Sequence, residues 1–354
     1  MNPAVVESTP ESATVSPPSL SVCIPIYNFG AFIAATLDSI LSQSLSKSIE
    51  VVVLDGASTD DTEAIMRAYA WRDPRIVYRR MPRKGGIDFD MAESIRNARG
   101  EHCWLFSGDD MMRPGSLARV LELIADGPDL VLGKHSNCDK EMNRINIHPV
   151  FIDERPFNLN LSDPTARRSY FDNCFNTEGL FSFMSGLVIK RSTWLSVPDP
   201  EPFMMSCWAH AARAFWLATT RSSFVVRFVP EVLLDKRGEN DSFLDKGVVH
   251  RIKIAVDGYS GIVGHYFGPN SHEARQVPRI LLNETNMISW LHAKHKAYKN
   301  PATENLADLL RVHAYCHSGV RHGWLKVLAF RVAIKPILLP AAAVRVWLRR
   351  RYGI

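Results

Sequence analysis

The 354-residue chain predicts an α/β fold built on a mostly parallel sheet. Two observations carry that expectation. Short apolar runs alternate with segments of helical periodicity between Leu20 and Leu132. Polar residues then gather where those runs end, at Tyr27-Asn28, Asp55, Asp88 and Asp109-Asp110. Strands joined through helices make right-handed crossovers, and open sheets of this kind bind ligands beyond the carboxyl ends of their strands.

The first run is Leu20 to Ile26, and its helix carries Ile33, Leu37, Ile40 and Leu41 on one face. The second, Ile49 to Leu54, holds three consecutive valines and reads as a strand buried on both faces. Asp60-x-x-Glu63 has the form of a capping box for a helix with Ile65, Met66 and Tyr69. Ile76-Val77-Tyr78 is the third strand. Ala92, Ile95 and Ala98 mark a third helix, closed by Gly100. Cys103 to Phe106 is the fourth strand and Leu130 to Leu132 the fifth.

Asp109 and Asp110 leave the end of the fourth run, just after Ser107-Gly108. Adjacent carboxylates at the end of a buried strand are costly unless a positive group meets them. A hard divalent cation such as Mg²⁺ or Mn²⁺, shared with substrate phosphates, is the usual partner. A solvated turn or a helix cap is the plain alternative for such a pair.

Four segments then fall in a recognisable order and spacing. They are Ser21-Val22-Cys23-Ile24-Pro25-Ile26-Tyr27-Asn28, Val53-Leu54-Asp55-Gly56-Ala57-Ser58-Thr59-Asp60, Arg96-Asn97-Ala98-Arg99-Gly100-Glu101 and Ser107-Gly108-Asp109-Asp110. In these the chain resembles the inverting family 2 glycosyltransferases, whose GT-A fold is a Rossmann-like sheet for nucleotide-diphospho-sugars. A narrower likeness, to abequosyltransferase-type enzymes of O-antigen assembly, rests on Gly179-Leu180-Phe181-Ser182-Phe183-Met184-Ser185, Val188-Ile189-Lys190-Arg191 and Arg237-Gly238-Glu239-Asn240-Asp241-Ser242-Phe243. It suggests a deoxy- or dideoxyhexose donor. The nucleobase is open, with cytidine diphosphate among the candidates.

The resemblance implies roles. Pro25, Tyr27, Asn28 and Asp55 fall where the family holds nucleobase and ribose, and Asp88 joins them as a donor-side residue. Pro25 also suits a turn, and Asn28 a helix cap. Asp109 and Asp110 match the family's metal site for Mn²⁺ or Mg²⁺. Ser107 stands where many members carry the first acid, so Asp109 becomes the expected direct ligand, with Asp110 beside it or acting through water. Arg237 follows the strand Phe224 to Val229; it either closes over the donor phosphates with Asn240-Asp241 or belongs to an ordinary surface loop.

Inverting transfer needs a base for the acceptor hydroxyl. The family's acidic pair corresponds here to Trp208-Ala209-His210-Ala211-Ala212-Arg213, which has no acid. His210 falls at the expected position, and a neutral imidazole accepts a proton near neutrality. The alternative is a helix histidine satisfied by a carbonyl. Asp199 and Glu201 are rival bases in a Pro-flanked loop.

Residues 1–18 are rich in Pro, Ser, Thr and Glu and read as a disordered lead-in, without the layout of a signal peptide. The transferase domain is expected over 19–242, a helical appendage of about three helices over 243–320, and a basic amphipathic tail over 321–354. The six cysteines and the histidines lack metal spacing; the cysteines read as reduced residues of a cytoplasmic protein. From Arg321 to Ile354 there are eight Lys or Arg residues and no acid, which leaves 34 basic against 37 acidic side chains elsewhere. The positive charge therefore belongs to the tail, which speaks against nucleic-acid binding. Lys326, Arg331, Lys335 and Arg345 interrupt its apolar residues, so it is expected to lie on an anionic membrane surface rather than span it. A helix docked on the protein is the alternative.

The sequence thus predicts a metal-dependent transferase, peripheral on the inner face of the cell membrane. It would act on a nucleotide-sugar donor and a glycan or lipid-linked glycan acceptor. A sugar nucleotidyltransferase would show a Gly-rich, Lys/Arg-bearing loop after the first strand, and Asn28-Phe29-Gly30 is not one. A catalytically inactive nucleotide- or glycan-binding relative is the other reading, favoured by the missing acid near His210.

Overall fold

The computed structural model describes residues 17–43, 49–240, 246–301 and 304–332. The predicted alternation is present as β1 (Leu20–Ile26), α1 (Ile33–Leu41), β2 (Ile49–Asp55), α2 (Thr62–Arg72), β3 (Ile76–Arg80), α3 (Ile87–Asn97) and β4 (His102–Leu105). The strands pair in parallel in the order β3-β2-β1-β4. β1 and β2 are buried along their whole length. With helices on both faces there is no solvent side to demand alternating polarity.

The second half adds β5 (Met111–Met112), α4 (Ser116–Ile124), β6 (Leu130–Cys138), β7 (Arg144–Ile147), β8 (Phe157–Asn160), α5 (Pro164–Asn173), β9 (Leu187–Lys190), α6 (Arg191–Trp194), α7 (Ala209–Thr220) and β10 (Val225–Lys236). The sheet runs β3-β2-β1-β4-β9-β6-β10-β5. β9 lies antiparallel to both β4 and β6, so the parallel arrangement of the first half gives way to a mixed one. β6 and β10 outrun their expected ends at Leu132 and Val229. Their pairing slips between Phe228 and Leu234, around Pro230, and then resumes. Proline cannot donate to a ladder, and a bulge accommodates it. This continuation carries the chain to Arg237 above the Asp109-Asp110 loop.

The capping box does not form as expected. Asp60 accepts from Thr62 and from the Gly30 amide, whereas Glu63 pairs with Arg67 and Arg80. The first turn of α2 is thereby tied to the end of β1.

Five helices follow: α8 (Val248–Phe267), α9 (His272–Asn283), α10 (Met287–Lys299), α11 (Leu306–Ser318) and α12 (Gly323–Val332). One face of the sheet packs Ile24, Val53, Trp104 and Leu117 into one core. The other face joins Cys23, Val52, Leu105 and Phe215 to Tyr259, Ile280, Trp290 and Phe330 in a second. The C-terminal helices therefore share a core with the sheet. All six cysteines are free, and all but Cys207 are buried.

α12 docks by one side only. Phe330 is buried against His313, and Lys294 Nζ donates to the Phe330 carbonyl. Trp324, Leu325, Leu328 and Val332 are exposed on the other side. Among the described residues no helix is long and apolar enough to cross a membrane. The rest of the basic tail, 333–354, and most of the lead-in lie outside the described residues, as does Asp241.

Candidate active site

The loop after β4 and the ends of β6 and β10 enclose a cleft of about 750 Å³ lined by Ser107, Asp109, Asp110, Asn137, Lys236, Arg237 and Asn240, among others. Asp109 and Asp110 stand in the loop after β4. Asp109 accepts from the Ser107 hydroxyl and, at 2.7 Å, from Asn240 Nδ2. Asp110 points inward, accepting from Ser185 Oγ at 2.7 Å and from the Arg237 amide at 3.1 Å. Burial and the adjacent Asp109 charge push Asp110 up to about 7. Two carboxylates crowded at a cleft floor, one driven toward protonation by burial and by the other's charge, fit a divalent cation, which would offset both. Asp109 is the member facing the cleft.

Arg237 lines the cleft and is also tied to the acidic loop. Its Nε donates to the Asp109 carbonyl at 3.0 Å and its guanidinium lies over Phe32. It braces the acidic loop, and Lys236 beside it lines the same cleft.

Beyond the end of β1 Tyr27 lies under Lys84 Nζ, 3.6 Å from the ring centroid. Asn28 adopts a positive φ of 60° and accepts from the Thr59 amide, and its own amide donates to Ser58 Oγ. These contacts lock the β1 and β2 loops together. Asp55 is fully buried, with its oxygens taken by the Ser58 amide and the Tyr78 hydroxyl, each at 2.7 Å. It shapes the loop after β2.

Two expected donor residues are placed otherwise. Pro25 is a buried strand residue opposite Leu54, inside β1 and not in a turn. Asp88 belongs to the first turn of α3, not to a strand end. Its carboxylate accepts from the amides of Cys207 and Ala209, so it caps α7. The residue sequence reasoning missed is Asp90, one turn face away. It is 4% exposed, and its Oδ1 has no partner among the described residues. Burial and the Asp55 charge push it up to about 6. The helical pattern around it gave no signal, because Asp90 interrupts an apolar face only in three dimensions.

A second cavity of about 410 Å³ adjoins the cleft and shares Phe183, Met184, Lys236 and Arg251 with it. His210 lines it from the first turn of α7, together with Trp208, Glu178, His148 and Glu284. Neither ring nitrogen of His210 meets a partner at full hydrogen-bond geometry among the described residues. Burial pushes its imidazole below the usual range, while the nearby Asp88 carboxylate pulls it back up. Asp88 and His210, both singled out in the sequence, are thus neighbours. The rival bases are not at this cavity. Asp199 is paired with Arg96 and Arg213, and Glu201 is exposed in its loop. The histidines do gather in space despite their spacing: His135, His148 and Glu178 are the one such three-residue cluster among the described residues.

Residues 21–189 match the family described as glycosyl transferase family 2. The chain is 30% identical over 283 residues to the abequosyltransferase RfbV of Salmonella typhimurium, covering 77% of this chain and 82% of that protein. Among solved structures it superposes on Staphylococcus aureus TarS 1-349 bound to UDP-GlcNAc with a TM-score of 0.58, at 16% identity, over 92% of this chain and 87% of that one. A mannosyltransferase from Pyrobaculum calidifontis, solved with GDP-Man and Mn²⁺, gives 0.50 at 19% identity, over 94% and 88%. With an acidic loop at the end of β4, a nucleotide-sized cleft and these relatives, the chain belongs to the family 2 glycosyltransferases of GT-A fold.

Proposed function

We propose that the chain is a metal-dependent, inverting transferase of a deoxy- or dideoxyhexose. Its donor is a nucleotide sugar, and its acceptor a glycan or lipid-linked glycan of surface polysaccharide such as O-antigen. The observation that carries this reading is the Asp109-Asp110 pair at the floor of the cleft, with Asp110 driven up by burial and by its neighbour. Asp109, with Asp110 behind it, would hold Mn²⁺ or Mg²⁺, which when bound supplies Lewis-acid stabilisation of the leaving diphosphate. The Mn²⁺ complex of the mannosyltransferase and the name of the Salmonella relative support the cofactor and the sugar class.

Tyr27, Asn28 and Asp55 position the nucleoside, and Asp90 faces it from α3. The acceptor occupies the adjoining cavity. Its hydroxyl attacks the anomeric carbon in line with the departing diphosphate oxygen, and His210 takes the hydroxyl proton. Neutral His210 suits that task because burial keeps it unprotonated near pH 7. Asp88 stabilises the imidazolium that results. The basic tail and the exposed side of α12 hold the enzyme on anionic lipid at the inner face of the membrane.

A thermal-shift screen of UDP, CDP, GDP and dTDP, with and without Mn²⁺, tests the donor reading. One nucleotide should raise Tm only when the metal is present. No shift with any of them would refute it. The inactive-relative reading is separated by turnover with mixed nucleotide sugars.

A further inference from the structure

A separate cavity, also of about 410 Å³, opens between α11 and α12 and has no part in sugar transfer as described. α11 gives it Ala314, His317 and Ser318, which share one helix face. α12 gives it Trp324, Val327, Leu328 and Arg331. The wall behind is fixed by stacking. His313 lies 4.0 Å from His317 and 3.9 Å from Phe330, between ring centroids.

His317 is only 2% exposed, and its Nδ1 lies 2.9 Å from the His313 carbonyl. A carbonyl only accepts, so Nδ1 carries the ring hydrogen and Nε2 keeps a lone pair. That lone pair meets no donor among the described residues. Nε2 nevertheless reaches the accessible surface, whereas both nitrogens of His313 are sealed off. Burial holds the His317 imidazole below its usual range, with the His313 carbonyl opposing and the Lys326 charge adding to it. The ring therefore waits as a neutral acceptor on the cavity wall.

The charges here are all of one sign. Arg331 and Lys326 make no ion pair among the described residues, and no acid lines the cavity. A guanidinium fork fits phosphate oxygens, and the nearby imidazole lone pair fits a hydroxyl donor. The rim is apolar. Leu325 and Val332 extend the face of Leu328, and all three are exposed together with Trp324. A free phosphate would leave this rim in water, whereas acyl chains cover it, with the indole at headgroup level.

We propose that the cavity between α11 and α12 is a site for one anionic phospholipid with a hydroxyl-bearing headgroup. Arg331 takes the phosphodiester, a headgroup hydroxyl donates to His317 Nε2, and the acyl chains cover Trp324, Leu325, Leu328 and Val332. The assignment rests on the membrane reading of the tail and goes beyond it. Diffuse attraction to a charged surface needs neither a cavity nor an imidazole lone pair. Other occupants fit less well. A second copy would set the cations of α12 against their own kind, and the chain beyond Val332 brings basic side chains and no acid. Cys316, next to His317, lines the acceptor cavity from the same helix. A lipid held here keeps that cavity beside the headgroup layer, where a lipid-linked acceptor arrives.

The test titrates the full chain calorimetrically with dioctanoyl phosphatidylglycerol below its micelle concentration. One molecule should bind per chain. Glycerol 1-phosphate, which lacks acyl chains, and dioctanoyl phosphatidylcholine, which lacks net charge, should bind about tenfold more weakly. Dioctanoyl phosphatidylmethanol keeps the charge without the hydroxyl and should bind about fivefold more weakly, a difference that His317→Phe should erase. Arg331→Gln, an exposed change that spares folding, should weaken the lipid about fivefold or more. Arg321→Gln, equally exposed but outside the cavity, should leave it within about twofold. Equal losses in the two arginine variants would mean diffuse charge, and the site fails while the membrane reading stands. Glycerol 1-phosphate binding as well as the lipid overturns the lipid in favour of a free phosphate ester. Equal binding of phosphatidylglycerol and phosphatidylmethanol overturns the His317 contact whether or not His317→Phe folds. A lipid-free dimer that Leu328→Ser breaks gives the face to a second copy and overturns the site. If the full chain does not bind anionic vesicles at all, both readings fail.

Discussion

At Asp109 and Asp110 two like charges share a cleft floor, and the consequences are measurable. Asp109→Asn should lower turnover on the order of 10²-fold or more with the fold intact, comparable to removing a key electrostatic group. Near-normal rates at saturating Mn²⁺ or Mg²⁺ would remove the metal assignment. Asp110 sits at about 7 in the folded protein against an ordinary carboxyl in the unfolded chain. Its folded value is raised, so the native state holds the proton between about pH 4 and 7 while the unfolded state has lost it. Metal-free protein should therefore gain stability as pH falls through that window, and Asp110→Asn should flatten the Tm–pH curve there. Asp55→Ala should raise the donor KM more than it lowers kcat, since it frees the loop after β2 that is proposed to position the nucleoside, and such binding acts on ground and transition state alike; an unchanged KM with reduced kcat would contradict this. For His210→Ala the expectation is a fall in kcat of about 10²–10⁴-fold with donor affinity kept. The acidic limb of the kcat–pH profile should vanish with it. A variant that loses stability instead of rate would make His210 structural.

Elements explain why some of these residues were legible in advance and others were not. β1, β2 and β4 are buried on both faces, so their apolar runs announced both the strands and the polar residues at their ends. The same reasoning misassigned Asp88, because a carboxylate after a strand and a carboxylate in a helix's first turn look alike in sequence. Only the approach of α7 shows that it caps that helix. β10 was truncated in the sequence reading at Pro230, whereas the bulge carries it on to Lys236. α12 bears the prediction at this scale. Its exposed Trp324, Leu325, Leu328 and Val332 lie beside Lys326 and Arg331. A chain ending near Gly319 should lose affinity for vesicles containing anionic lipid, and the full chain's binding should weaken with salt. Equal vesicle binding by the two, or binding indifferent to salt, would rule the surface out. Because Phe330 seats this helix on His313 and Lys294, the truncated protein should also lose some stability.

On the scale of the whole molecule the C-terminal helices are a wall of the site. α8, α9 and α11 contribute Arg251, Leu281 and Cys316 to the cavity, and Glu284 follows directly on α9. Their side chains belong to one buried cluster with the sheet. The described chain should unfold in a single calorimetric transition with coincident loss of nucleotide binding. Two separate transitions would mean that the helices are an independent appendage after all.

The sequence by itself determined the alternation of strands and helices, the acidic loop after β4 and the family to which they point. These are local patterns: burial on both faces, helical periodicity and turn chemistry act over a few residues and leave their mark in the order of amino acids. Tertiary structure alone decided which polar residues face the cleft. It buried Pro25 and Asp55, turned Arg237 into a brace and brought Asp90 beside Asp55. It also assembled His135, His148, Glu178 and Glu284 from β6, the loops after β7 and α5, and the end of α9. Contacts between groups so far apart in the chain depend on how the sheet and the C-terminal helices pack, and no spacing in one sequence encodes that.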